Sequence, residues 1–171
     1  METEAKYESP VDVLLTLGEV PFAGEWIDYE AYGLQRDHIP ALVRIATDSQ
    51  LHWAESDEPE VWASIHSWRA LGQLCAAEAV VPLLELLDEY EDADWMHEEI
   101  PVVVGMIGAS AIAPTRDFLV EPHRELYARV GAAFGLAEIG KRNPSCREEC
   151  VEVLTASLRN FAQHDPTLNA F

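Results

Sequence analysis

Positive charge is scarce in this chain: 11 lysines and arginines stand against 31 aspartates and glutamates, a formal net charge of −20 over 171 residues. Binding to nucleic-acid phosphates rests on Lys and Arg displacing counterions, so a nucleic-acid partner is disfavoured. The same balance suits a basic protein partner, or solubility alone. Cysteine is scarce too; the three present are an odd number without metal-site or disulfide spacing, which fits a reducing cytoplasm. No apolar run approaches the roughly 18 residues of a membrane helix. The opening METEAKYESP is acidic and polar where a secretory signal is basic and then apolar. G-x-S-x-G, P-loop and dinucleotide fingerprints are all missing. No segment alternates apolar and polar residues, so nothing announces a strand.

What is present is helical periodicity. Apolar residues make up 49% of the chain, enough for a continuous core in one domain. The densest stretch, Trp68 to Tyr90, reads as a helix end, a turn at Cys75-Ala76-Ala77 and a second helix. Val80, Leu83, Leu84 and Leu87 form one apolar stripe. Before the turn, Val61, Ile65, Trp68 and Gly72 recur at helical spacing, with Ala63, Ala70 and Leu74 on an adjoining strip. That width of apolar arc predicts a helix packed from two sides.

Along the chain, Ser9-Pro10 opens a short helix, Ser as cap and Pro in the first turn, with Gly18 as its stop. Residues 19–36 hold Phe22, Trp26, Tyr29 and Tyr32 and read as a hydrophobic lid over the end of the stack, the alternative being an aromatic recognition loop. Asp37 is expected to cap a helix bearing Ile39, Leu42, Val43 and Ala46, with Pro40 in its first turn. DSQLHWAESDEP, with Trp53, reads as a loop, and Asp57 with Glu60 as a capping box for a helix over 58–74. Asp94 caps a helix striped by Met96, Ile100, Val103, Val104 and Ile107, which Pro101 should kink. Gly108-Ala109-Ser110 turns the chain into a shorter helix. Pro122 starts a long one with Leu126, Val130, Ala133, Phe134 and Ala137 inward and Gly140 as stop. Beyond Asn143-Pro144, Cys146, Cys150, Leu154, Leu158 and Phe161 share a face. Asp165 and Pro166 then open a further helix that exposes Leu168, Ala170 and Phe171.

Three segments line up: LGQLC at 71–75, VGMIG at 104–108 and LAEIG at 136–140. AVVPLLELL at 79–87 and AIAPTRDFL at 111–119 follow the first two, and HIPALVRIA at 38–46 shares their proline position. A helix–turn–helix unit recurring every 30 to 35 residues or so predicts an all-α solenoid of stacked antiparallel pairs, about four of them. At these residues the chain resembles HEAT-repeat proteins, and more closely the short HEAT-like repeats of the phycobilisome-lyase type. RALGQLCAAEAVVPLLELL meets that family's turn and A-x-x-P-x-L habit, with Cys75 in place of a glycine. The resemblance covers about residues 37–161, and the residues on either side predict a capping helix and aromatic loop over 1–36 and the start of a truncated helix over 162–171. It carries over no catalytic residue.

His97-Glu98-Glu99 has half of an H-E-x-x-H zinc motif, but position 101 is Pro, so the motif fails. DEYEDAD at 88–94 lacks the glycine and terminal glutamate of a calcium loop. Cys146 and Cys150, one turn apart on a core stripe, read as small hydrophobes. No metal or cofactor is expected. In HEAT-like stacks the second helices line a concave surface. Glu85, Asp88 and Glu89, with Arg116, Glu148, Glu149 and Glu152, would then form an acidic inner strip, and Trp95 an anchor. The expected function is a non-enzymatic, cytoplasmic scaffold module binding a protein or basic peptide. The resemblance implies an alternative, a bilin lyase or chromophore chaperone; a DNA glycosylase is disfavoured by the charge. A solenoid left open at its C-terminal face is also expected to continue in a longer protein or to self-associate there.

Overall fold

A computed structural model describes residues 7–21, 25–52 and 58–170. Helix takes up 76% of the described residues and none of them lies in a strand, as the absence of any alternating segment requires. The chain divides into two compact units after Leu74, inside the region expected to be one run of repeats.

The first unit is built on α1 (Ile39–Ala46), α2 (Ser49–His52) and α3 (Ala63–Gln73). Every residue of α3 from Ala63 to Gly72 is buried, which is the two-sided packing its wide apolar arc demands. α1 lays Ile39, Leu42, Ile45 and Ala46 against it. Ser64 and Ser67 of α3 donate to the Ile45 and Leu42 carbonyls of α1, while His66, Arg69 and Gln73 are tied to the segment before α1. His66 lies between Tyr29 and Gly18, with Nε2 2.8 Å from the Gly18 carbonyl and Nδ1 2.8 Å from the Tyr29 hydroxyl. A carbonyl can only accept, so Nε2 carries the proton and Nδ1 accepts from Tyr29. Gln73 accepts from the Tyr29 N–H at 3.0 Å and donates to the Ile27 carbonyl at 2.8 Å. Arg69 lies 4.8 Å from the centre of the Trp26 ring. Tyr29 is buried and Tyr32 is exposed.

Several local expectations give way here. The first helix is a 3-10 turn, Val11–Leu15, with Pro10 rather than Ser9 at the cap and no side-chain capping bond. Its C-cap is Thr16, ahead of Gly18. Asp37 is not a cap: it sits inside a 3-10 turn, Arg36–His38, where Gln35 and His38 make a reciprocal capping box. The segment expected as a loop starts with α2, because the Asp48 carboxylate accepts the Gln50 N–H at 3.1 Å and Leu51 is buried. Asp48 also accepts the Tyr7 hydroxyl at 2.8 Å. Burial, reinforced by that carboxylate, pushes the phenol up to about 12. Phe22, Trp53, Asp57 and Phe171 lie outside the described residues.

The second unit holds α4 (Val80–Glu89), α5 (Asp94–Ile107), α6 (Ile112–Val120), α7 (Leu126–Arg142), α8 (Arg147–Leu158) and α9 (Pro166–Ala170). Val80, Leu83, Leu84 and Leu87 are buried as expected, and so are Met96, Ile100, Val103, Val104 and Ile107. α7 touches α4, α5, α6, α8 and α9. It gets close enough through small residues. A Cβ on Gly105 of α5 would stand 2.6 Å from the Glu138 Cβ, and one on Gly131 of α7 would stand 2.8 Å from Leu87 Cδ1. This corrects the expected inward face of α7 in part: Val130 is buried as expected, and so are Ala128, Gly131, Ala132, Gly135, Leu136 and Ile139, while Phe134 and Ala137 are exposed.

Helix ends differ too. Asp94 is the first residue of α5 and makes no cap bond; Pro101 sits in the interior of that helix, which runs on past it. α7 starts at Leu126 rather than Pro122 and continues through Gly140. Its end is set by Asn143, whose amide donates to the Ile139 and Gly105 carbonyls at 3.1 Å each. On α8 only Cys150 is buried, and Leu158 and Phe161 are exposed, against the expected core stripe. Leu168 is buried, since α9 packs back on α7; Asp165 caps α9 through the Thr167 N–H at 2.8 Å. By length and composition Asp94–Val120, 27 residues, passes as a membrane span. Gly108, at φ +81°, breaks it into α5 and α6.

Candidate functional site

Two clefts open on the second unit. The first has a volume of about 810 Å³ and lies where the α4–α5 connection meets α7. The short DEYEDAD connection holds Glu91 and Asp92 at its rim, and the first turn of α5 adds Asp94 and Glu98. Carboxylates collect at this helix start because the backbone N–H groups there carry partial positive charge. None of these four has a cationic partner among the described residues. Opposite them α7 contributes Tyr127 and Phe134, 48% and 44% exposed. Large aromatic rings this exposed, two turns apart on one helical face and edged by carboxylates, can hold an alkylammonium or guanidinium group by charge and by contact with ring faces. His97 lines the same cleft, with Nε2 3.3 Å from the Tyr90 carbonyl. Tyr90 itself has its phenol pushed up, by burial first and then by Glu89.

The second cleft, about 880 Å³, lies between α6, the start of α7 and the end of α8. It gathers Arg116, Arg124 and Arg129, a concentration of positive charge in a chain that has little, together with Glu152 and Asp165. Arg116 is clamped by Asp117, with Nε and one terminal nitrogen 2.9 and 2.7 Å from the same carboxylate oxygen. Arg124 reaches Asp88 at 3.1 Å and stacks 4.5 Å from the centre of the Phe118 ring.

The residues expected to form one acidic strip are therefore distributed. Asp88 is occupied: besides Arg124 it accepts the Glu125 backbone N–H at 2.7 Å, closing the start of α7. Glu85 stands 4.0 Å from Arg124. Glu89, Glu148 and Glu149 are exposed. Arg116 and Glu152 meet in the second cleft. Trp95 is half-buried and lines neither cleft. Tyr127, Phe134, Arg124 and Arg129 were missed by sequence reasoning. The two rings had been assigned to the core or passed over, and their exposure follows only from the small-residue face that α7 turns inward. The sole signal for Arg129 was a charge in the middle of a helical stretch.

Cysteine chemistry finds no support in the surroundings: Cys150 is buried, and burial, with Cys146 and Glu149 adding to it, pushes its thiol up and away from the reactive thiolate. Among the described residues no three histidine, cysteine or acidic side chains converge on a point where a metal ion fits. No family model matches this chain, and neither a curated protein nor a solved structure is significantly similar to it.

Proposed function

We infer that this chain is a non-enzymatic, HEAT-like binding module that takes a basic segment of a protein partner into the cleft between the α4–α5 connection and α7. The observation that carries the reading is four carboxylates, without cationic partners among the described residues, facing two exposed aromatic rings. A lysine or arginine side chain satisfies both, its charge at the rim and its methylene stem on the rings. The −20 net charge adds long-range attraction for such a partner. Stacking of α5 on α7, and of α4 on α6 and α6 on α8, supports a solenoid of helix pairs. On this reading the recognition surface lies beside α5 and α7, and the expected strip of Glu85, Asp88 and Glu89 contributes steering charge.

Fluorescence anisotropy with a labelled lysine-rich decapeptide tests it. Binding is expected to weaken with salt and to fall about tenfold in Phe134→Ala, the scale of one aromatic anchor. Asp92→Lys with Glu98→Lys should abolish it, while Glu148→Lys should leave it nearly unchanged. Equal binding by all these variants sinks the assignment, because the attraction would then be diffuse.

A further inference from the structure

Arg129 poses a separate problem. It sits in the first turns of α7, is 9% exposed, and makes one hydrogen bond, from Nε to the Leu119 carbonyl at 2.8 Å. Its two terminal nitrogens have no hydrogen-bond partner, and no carboxylate pairs with it, among the described residues. The terminal nitrogens keep contact with solvent through the cleft, but a guanidinium whose side chain is this enclosed is ordinarily paired, because lost hydration costs free energy. That cost shows in the pKa, which burial alone drives down. The group lines the second cleft, whose volume of about 880 Å³ suits a small molecule. Val120, Leu126, Val153 and Ala156 form the apolar part of the wall, and Ser157, Asn160, Gln163 and His164 line its polar end.

We propose that this cleft binds a small, otherwise apolar organic monocarboxylate, with the unpaired guanidinium of Arg129 as the anchor for its carboxylate. The two terminal nitrogens match the two carboxylate oxygens in a planar fork, and the apolar wall takes the tail. A single negative charge is selected. Arg116 and Arg124 are already held by Asp117 and Asp88, leaving Arg129 as the one arginine of the cleft to be matched. Glu152 and Asp165 on the same wall repel a second negative charge, which disfavours phosphates and polyanions. This site is independent of the acidic–aromatic cleft, and either assignment stands without the other.

The test is a titration of the ¹⁵N-labelled protein with hexanoate, hexanamide and phenyl phosphate, following backbone amide shifts. Hexanoate is expected to saturate a set of shifts around residues 126–130 and 153–160. The neutral hexanamide should bind at least about tenfold more weakly, having no charge for the guanidinium. Arg129→Lys keeps the charge but loses the fork, and should weaken hexanoate by a similar factor. Ala156→Trp, at an exposed α8 position, fills part of the cleft while leaving residue 129 as arginine and should remove the saturable shifts; it decides the matter if Arg129→Lys does not fold. Equal affinity for hexanoate and hexanamide, tighter binding of phenyl phosphate, or hexanoate shifts that survive Ala156→Trp would each overturn the proposal.

Discussion

Cys75 has a backbone φ of +49°, the left-handed region that costs an L-residue roughly 1–2 kcal/mol. Thirty-three residues later the corresponding position is Gly108, which also has a positive φ, +81°, but with ψ −140°, a region that glycine reaches for want of a Cβ. Cys75→Gly is therefore expected to raise stability, by roughly 0.5 kcal/mol after the extra unfolded-state entropy of glycine is subtracted. Cys75→Val, β-branched, should lower it by about 1 kcal/mol or more. Urea unfolding midpoints of the two variants give the answer, and a destabilised glycine variant would show that the thiol contact with the Met106 carbonyl matters more than the backbone. Glu138 supplies a second residue-scale expectation. Burial pushes its carboxyl up, but hydrogen bonds from Lys141 and Arg142, both at 2.9 Å, win and the pKa falls below its ordinary 4.5. A depressed folded pKa means the contribution is complete above 4.5 and is lost as pH falls through the folded value. Between pH 6 and pH 3 the Glu138→Gln variant should thus lose less stability than the parent protein; equal losses in thermal melts would remove Glu138 from the acid response. Neither effect is visible from composition, because both depend on which neighbour a residue meets.

Among the elements, α7 most clearly separates pattern from packing. Its apolar residues recur at helical spacing and point to Val130, Phe134 and Ala137 as the inner face, of which Val130 alone is buried. Its small residues recur at the same spacing on another face, and that one is buried. The smaller face wins because backbone-to-backbone approach with α5 is possible only where glycine stands at the crossing. Gly105→Ala tests this. Alanine gains about 1 kcal/mol of helix propensity, yet its Cβ would stand 2.6 Å from the Glu138 Cβ and 3.0 Å from that residue's backbone carbon. A backbone atom cannot yield as a side-chain tip does, so overpacking of about 1–3 kcal/mol prevails. A net loss of about 1 kcal/mol is expected in chemical denaturation, and a gain would mean the two helices slide freely.

At the scale of the whole molecule, α8 leaves an apolar surface uncovered: Val151, Leu158 and Phe161 are 55%, 51% and 63% exposed. Val151 and Leu158 are seven residues apart and share one helical face. Such a surface on a helix that buries only Cys150 favours self-association, against which the −20 net charge acts. Sedimentation at micromolar concentration in moderate salt is expected to give a mass above the 19.1 kDa of one chain. Leu158→Asp with Phe161→Asp should return it to the monomer, and a parent protein already monomeric under those conditions contradicts the expectation.

The sequence alone determined that the protein is helical, where most of the large helices lie and which leucines and valines of α4 and α5 face inward. These follow from a local period of 3.6 residues and from solvent aversion, both written along a single stretch of chain. Tertiary structure alone decided the rest. Asp88 closes the start of α7 instead of facing a partner, Gly140 lies within a helix instead of ending it, and Phe134 borders a cleft instead of filling the core. It also left Arg129 buried without a carboxylate beside it. Each of these depends on contacts between residues ten to forty positions apart, and a helix with two plausible inner faces chooses between them only when its neighbours supply shapes that fit one of them.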